Sequence, residues 1–138
     1  MLTILDRLES RDMASLILRL TVGVLILFHG VPKLLGLPDS IGWMAGPLAA
    51  HHLPAFLAYG VLIGEVVAPV LLILGFYARI GALLVAINML FAILLAHMGQ
   101  LFTLGGQGGW ALELQGFYLF TAVALIFLGS GKYGINRH

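Results

Sequence analysis

The chain contains no cysteine. Disulfides, iron–sulfur clusters, thiolate zinc sites and covalent c-type haem attachment are thereby excluded. So is thiol–disulfide exchange, the usual chemistry of small four-helix, quinone-linked membrane oxidants. Charge is scarce as well. Only 9% of the 138 residues are Asp, Glu, Lys or Arg and the net charge is +1, against about 25% charged in an ordinary soluble domain. No basic stripe exists to neutralise a phosphate backbone, which sets nucleic acid aside as a partner. The chain is instead 61% hydrophobic, where a soluble domain has roughly 45–50%. A soluble fold of this size leaves too much surface exposed to hide that much apolar material. The excess needs a lipid bilayer.

A helix crossing the ~30 Å hydrocarbon layer takes about 20 residues. Four segments meet that length: 13–35, 53–76, 79–98 and 110–128. The predicted fold is all-α, an antiparallel bundle of four transmembrane helices in one domain, with outer loops 36–52 and 99–109. A barrel's alternation of apolar and polar residues is absent. The charged N-terminus, with Asp6, Arg7, Glu9, Arg11 and Asp12, leads straight into the first apolar run. That run is too long for a signal peptide and is read as a retained helix. Between the second and third spans only Phe76, Tyr77 and Ala78 remain, which requires a tight hairpin. Gly60 and Gly64 form a small-xxx-small face suited to close helix contact.

Four spans place both termini on one side. That side carries Arg7, Arg11, Arg79, Lys132 and Arg137, whereas the opposite loops carry only Lys33. By the positive-inside rule the arginine-rich side is cytoplasmic, so the chain reads as N-in/C-in in a bacterial inner membrane. The first outer loop holds Trp43, Pro47, His51 and His52 and reads as an interfacial or re-entrant segment. The second, rich in glycine from Gly105 to Gly109, reads as a flexible turn.

Ionisable groups inside a membrane are costly and usually face the protein interior, so each raises a functional question. Arg19 lies about two turns into the first helix. It either snorkels to the cytoplasmic interface or pairs with Glu65, which sits near the middle of the second and, left without a charged partner, would stand neutral and hydrogen-bonded. Arg19 and Glu65 are therefore candidates for a buried catalytic pair. Arg19, His29 and Lys33 fall within an arc of roughly 80° on the first helix at 100° per residue. Pro32 and Pro69 each remove a backbone donor, freeing the carbonyls of Phe28 and Glu65.

Four of the five histidines lie in the outer half. His29 and Lys33 end the first helix there, His97 ends the third, and Glu113 and Gln115 begin the fourth. One reading is interfacial anchoring. The other is an outward-open pocket of His29, Lys33, His97 and Glu113, with Glu65 as its floor. Helical geometry sets Asn88 and His97 about 180° apart, and Glu113 and Gln115 about 200° apart, so one of each pair is expected to turn inward. Glu113 is the expected one of the second pair.

These motifs resemble the DoxX family. Arg19, Thr21 and Gly23, then Phe28, His29, Gly30, Pro32 and Lys33, look like that family's first helix. Gly64 and Glu65, followed by Leu72, Gly75 and Arg79, resemble its second helix and turn. Ala96, His97 and the closing run from Gly129 to Asn136 also fit, although Ser130 and Asn136 replace the family's usual proline and aspartate. The resemblance implies a four-helix inner-membrane protein, with relatives associated with quinone-reducing, oxidative-stress or copper-related systems.

Three functions stay open. The first is a membrane subunit of an oxidoreductase system that binds a quinone or similar lipid-soluble redox molecule. His29, Lys33, His97 and Glu113 would hold it, Glu65 or Glu113 would carry protons, and a soluble or membrane redox partner would supply electrons. The second is a copper, zinc or iron site of His29, His97 and Glu113. The third is a scaffold or small-molecule carrier, alone or as a homo-oligomer.

Overall fold

In the computed structural model, residues 2–106 and 108–138 are described. The described residues are all-α apart from one isolated bridge between Leu104 and Trp110. Helix α1, Leu2–Arg7, is short. Helix α2, Arg11–Leu35, follows at once and forms the first span. Its start is fixed by Ser10, whose hydroxyl accepts from the Met13 N–H at 3.1 Å, satisfying one of the donors a helix N-terminus leaves free. The first outer loop is a helix, α3, Asp39–Ala50.

The second span, Ala55–Leu74, changes winding along its length. A 3₁₀ turn, Ala55–Leu57, leads into α4, Ala58–Leu62, then a π turn, Ile63–Val67, then α5, Ala68–Leu74. The Ala68 N–H reaches back five residues to the Ile63 carbonyl. The π turn ends two residues before Pro69, which cannot donate to Glu65, so the widened turn and the missing donor disturb the same stretch of backbone. Helix α6, Ala78–Ala96, is the third span, and α7, Glu113–Leu128, follows it. Three helices are long and apolar enough to cross a membrane; α7, at 16 residues, is a shorter apolar helix. The chain is thus a multi-pass membrane protein.

Small residues set the helix spacing. Val22, Ile26, Ala68, Leu72, Ala82, Val85, Ala122 and Leu125 form the main core. The first and second spans run antiparallel in a register read from three contacts. Gly30 faces the Glu65 carbonyl, Gly23 faces Pro69 and Ile73, and Arg19 faces Leu72 and Gly75. Gly64 packs on Asn88 of α6, where a Cβ would stand 2.6 Å from the Asn88 Cβ. Gly60 meets nothing within 4 Å, so only one of the two expected small residues mediates helix contact.

The chain ends are joined at one end of the bundle. Ser15 donates to the Gly129 carbonyl at 2.5 Å, and the Lys132 N–H to Asp12 at 3.0 Å. The Tyr77 N–H donates to Asn136 Oδ1 at 3.0 Å and the Arg79 N–H to the His138 carbonyl at 3.1 Å. Ser130 is fully buried. Ser130, Asn136 and, from α2, Asp12 therefore secure the closing turn, which carries no acidic residue of its own. At the other end the loop before α7 is pinned: Trp110 Nε1 donates to the Leu101 carbonyl at 2.7 Å and the indole fills the notch at Gly116.

Candidate functional site

Five elements enclose a cavity of about 590 Å³ in the half of the bundle opposite the termini, within the range typical of small-molecule sites. Helix α2 contributes Ile26, His29 and Lys33, which share a face at helical spacing. The second span contributes Gly60, Val61, Gly64 and Glu65. Helix α6 contributes Leu84, Asn88, Phe91 and Leu95, again one face, and α7 contributes Gln115 and Tyr118. Helix α3 covers the cavity with Trp43, Met44, Pro47 and Leu48. Met44 and Leu48 are buried with Ala58 in a second small core, packed by Ile41, Leu53, Val61 and Leu95. The segment between the first two spans is therefore a helical cover over one end of the cavity.

The wall is mostly apolar, with a charge pair set into it. Lys33 Nζ lies 2.5 Å from Glu65 Oε2, and the two side chains are 25% and 11% exposed. Glu65 projects from the π turn, the kind of helix irregularity often found at functional sites. The pair bridges the first and second spans, and each charge offsets the desolvation the other would suffer alone. His29 meets the Tyr118 ring edge-on, with centroids 6.5 Å apart. His97 Nδ1 lies 2.9 Å from Gln100 Oε1, and its ring also lines the cavity.

The expected Arg19–Glu65 pair does not form. Arg19 is fully buried, and its Nη1 donates to the Leu72 carbonyl at 2.9 Å. The register explains this: Glu65 stands opposite Gly30, and Arg19 lies eleven residues, about 16 Å, further along the helix. Lys33, one turn beyond Gly30 on the other side, reaches the carboxylate instead. The assignment of Arg19 to the site is therefore withdrawn, and Glu65 keeps its place with a different partner.

Glu113 also misses the cavity. It lies in a separate groove with Leu18, Trp110 and Phe117, its carboxylate against Gly109. Gln115 turns inward in its place. The inward face of α7 is that of Tyr118, Ala122 and Leu125; Gln115, three residues before Tyr118, lies on it, and Glu113, about 200° away, does not. Asn88 and His97 both line the cavity despite their expected opposition. His97 sits just past the end of α6 with a non-helical backbone (φ −129°, ψ 10°), so helical spacing does not govern its direction.

Among the described residues no group of three His, Asp or Glu side chains is placed to hold a metal ion. The metal reading of His29, His97 and Glu113 thus loses its ligand set, because Glu113 is turned away. His51 and His52 stay outside the cavity; His51 Nε2 lies 3.3 Å from the Leu95 carbonyl, and His52 occupies a left-handed turn position (φ 59°). Sequence reasoning missed Tyr118 and the covering role of α3. The spacing of Gln115 and Tyr118, one turn apart on the same face, is the signal that could have found both.

Comparison with known proteins agrees with this architecture. The chain is 33% identical over 123 residues to an uncharacterized protein of Haemophilus influenzae, covering 87% of this chain and 86% of that one. It is 31% identical over 134 residues to an uncharacterized membrane protein of Mycobacterium tuberculosis, covering 87% and 77%. It is 27% identical over 111 residues to the Bacillus subtilis protein named "Putative oxidoreductase CatD", covering 80% of each. No solved structure matches. The model of the DoxX family matches residues 14–98, which carry the first three spans and most of the cavity wall, and the chain belongs to the DoxX family.

Proposed function

We propose that this protein is a membrane-embedded subunit of an oxidoreductase system that binds a quinone or similar lipid-soluble redox molecule in the cavity. The observation that carries the reading is the Lys33–Glu65 ion pair set into a mostly apolar wall at membrane depth. Such a pair is expensive to bury, and it offers an ammonium donor to a carbonyl oxygen beside a carboxylate able to pass a proton. His29, one turn before Lys33 on the same helix face, and Tyr118 of α7 add two further hydrogen-bonding groups. The Bacillus subtilis relative carries the word oxidoreductase in its name. Reduction of a quinone takes two electrons and two protons. With no cysteine and no cofactor motif in the chain, the electrons come from a partner redox protein, and the chain's own residues position the ring and deliver protons.

Purification in a mild detergent, followed by solvent extraction and chromatography, tests this directly. Bound quinone at a substoichiometric to equimolar level is the expected result. It should fall at least about tenfold in Lys33→Met, a loss equivalent to about 1.4 kcal/mol of binding. A preparation with no extractable quinone, and no quinone uptake on addition, turns the reading to a scaffold or carrier of other small molecules.

A further inference from the structure

Several residues that line the cavity also face outward from the bundle. Ile63 on the second span is 47% exposed, and Ile87 and Phe91 on α6 are 41% and 50% exposed. Gly60 is exposed too, with open space where a side chain would stand. Residues that are cavity wall and outer surface at once mark a mouth. All four lie on helices long and apolar enough to cross the membrane, so this mouth faces lipid. Its edge is apolar throughout, and a charged head group would have to shed its water to pass.

Behind the edge stands Asn88. It lies one turn from Phe91 on the same face of α6, half-buried, and its side chain packs on Gly64, the neighbour of Glu65. The side-chain hydrogen bonds of the described residues leave its amide without a protein partner. The amide is not sealed in the protein interior: it is accessible from the cavity and free to bond whatever enters it. A ligand passing the mouth meets this amide before it meets the ion pair.

We propose that the ligand enters sideways from the bilayer, between the second span and α6, and that Asn88 selects its head group. The ligand class is a neutral amphiphile with a compact hydrogen-bonding head and an apolar tail that stays in the mouth at Gly60. This rests on the reading of the cavity as a site for a quinone-type molecule.

The absence of cysteine makes a clean test available. Gly60→Cys in a Trp110→Phe background supplies one thiol at the mouth and leaves Trp43, in the cavity wall, as the sole tryptophan. The protein is placed in phosphatidylcholine nanodiscs and titrated with decylubiquinone or with the tailless ubiquinone-0, following quenching of Trp43. Both probes quench the unlabelled protein. After alkylation with benzylmaleimide, decylubiquinone affinity falls at least about tenfold while ubiquinone-0 affinity stays within about twofold, which also shows the site still folded. Asn88→Leu weakens both probes at least about fivefold, and Asn88→Ser stays near the parent value. Unchanged decylubiquinone binding after alkylation, loss of both probes together, or indifference to Asn88→Leu overturns the sideways route. Failure of either probe to quench the unlabelled protein removes the quinone reading itself, and this inference with it.

Discussion

Lys33 reaches Glu65 because Gly30 lets the two helices touch. The Gly30 Cα lies against the Glu65 carbonyl, and Lys33, three residues on, then spans the short remaining distance to place Nζ 2.5 Å from Oε2. The backbone contact and the ion pair are one construction. The glycine brings the chains together, the proline at 69 leaves the carbonyl without its helical donor, and the lysine neutralises the carboxylate beside it.

Single and double substitutions should therefore separate folding from binding. Lys33→Met leaves a carboxylate unpaired in a largely apolar wall, and a cost of about 2–4 kcal/mol is expected, at the lower part of the buried range because Lys33 is partly exposed. Lys33→Met combined with Glu65→Leu removes both charges and should regain most of that stability. Thermal melting in detergent by size-exclusion chromatography checks the stability, and quinone content checks the site. The double variant is expected to be stable and empty. Recovery of ligand along with stability would show that the pair only holds the bundle together.

Gly30 and Gly60 make a matched contrast. A methyl group at Gly30 would collide with the Glu65 main-chain carbonyl, which cannot swing aside as a side chain could. Gly30→Ala should cost more than about 3 kcal/mol or abolish assembly, the range of severe overpacking. Gly60→Ala meets no atom within 4 Å and sits in a helix, where alanine is favoured by up to about 1 kcal/mol. Its melting temperature should not fall. Equal tolerance of both would refute the close approach of the first and second spans.

How far the sequence was legible follows from what each residue depends on. Hydropathy placed the spans to within a few residues because a bilayer demands a minimum length of apolar helix, whatever the packing. The polar set of His29, Lys33, Glu65 and His97 was legible for the same reason, since such residues rarely face lipid. The pairing was not legible. Whether Glu65 meets Arg19 or Lys33 depends on the antiparallel register, and that is decided by backbone contacts at Gly23 and Gly30. The choice between Glu113 and Gln115 turned on which face of α7 packs inward, and an almost uniformly apolar helix does not mark that face in its sequence. The π turn at Glu65 left no trace in hydropathy beyond the proline that follows it.

The contacts among the chain ends put both termini at one end of the bundle, and which side of the membrane that end faces rests on charge alone. Asp12, Ser15, Tyr77, Arg79 and the closing residues from Gly129 meet at one end of the bundle, the end that carries most of the arginines. Glu9→Cys and Gly106→Cys, each the only thiol in its chain, should label oppositely. In intact cells a membrane-impermeant maleimide should modify Gly106→Cys, whereas Glu9→Cys should react only after permeabilisation. The reverse pattern would invert the protein and turn the cavity toward the cytoplasm.

Arg19 poses a different question, because its burial is not matched by its bonding. The side chain is fully buried, Nη1 donates to Leu72, and Nε and Nη2 have no partner among the described residues. One hydrogen bond to a charged donor contributes about 1.5–3 kcal/mol, whereas each buried donor left unpaired costs about 1–3 kcal/mol. The two unpaired donors together offset or exceed the gain from the one bond. The Leu72 carbonyl also keeps a second donor, the Gly75 N–H at 3.2 Å, so removing the guanidinium does not orphan it. Arg19→Met, which fills much of the same volume without charge, should consequently melt at the parent temperature or above. Arg19→Ala should melt lower, because the void left by a long side chain costs about 2–5 kcal/mol. A marked loss of stability in Arg19→Met would mean that the guanidinium has further acceptors, ordered water or a bound anion, at the turn around Gly75.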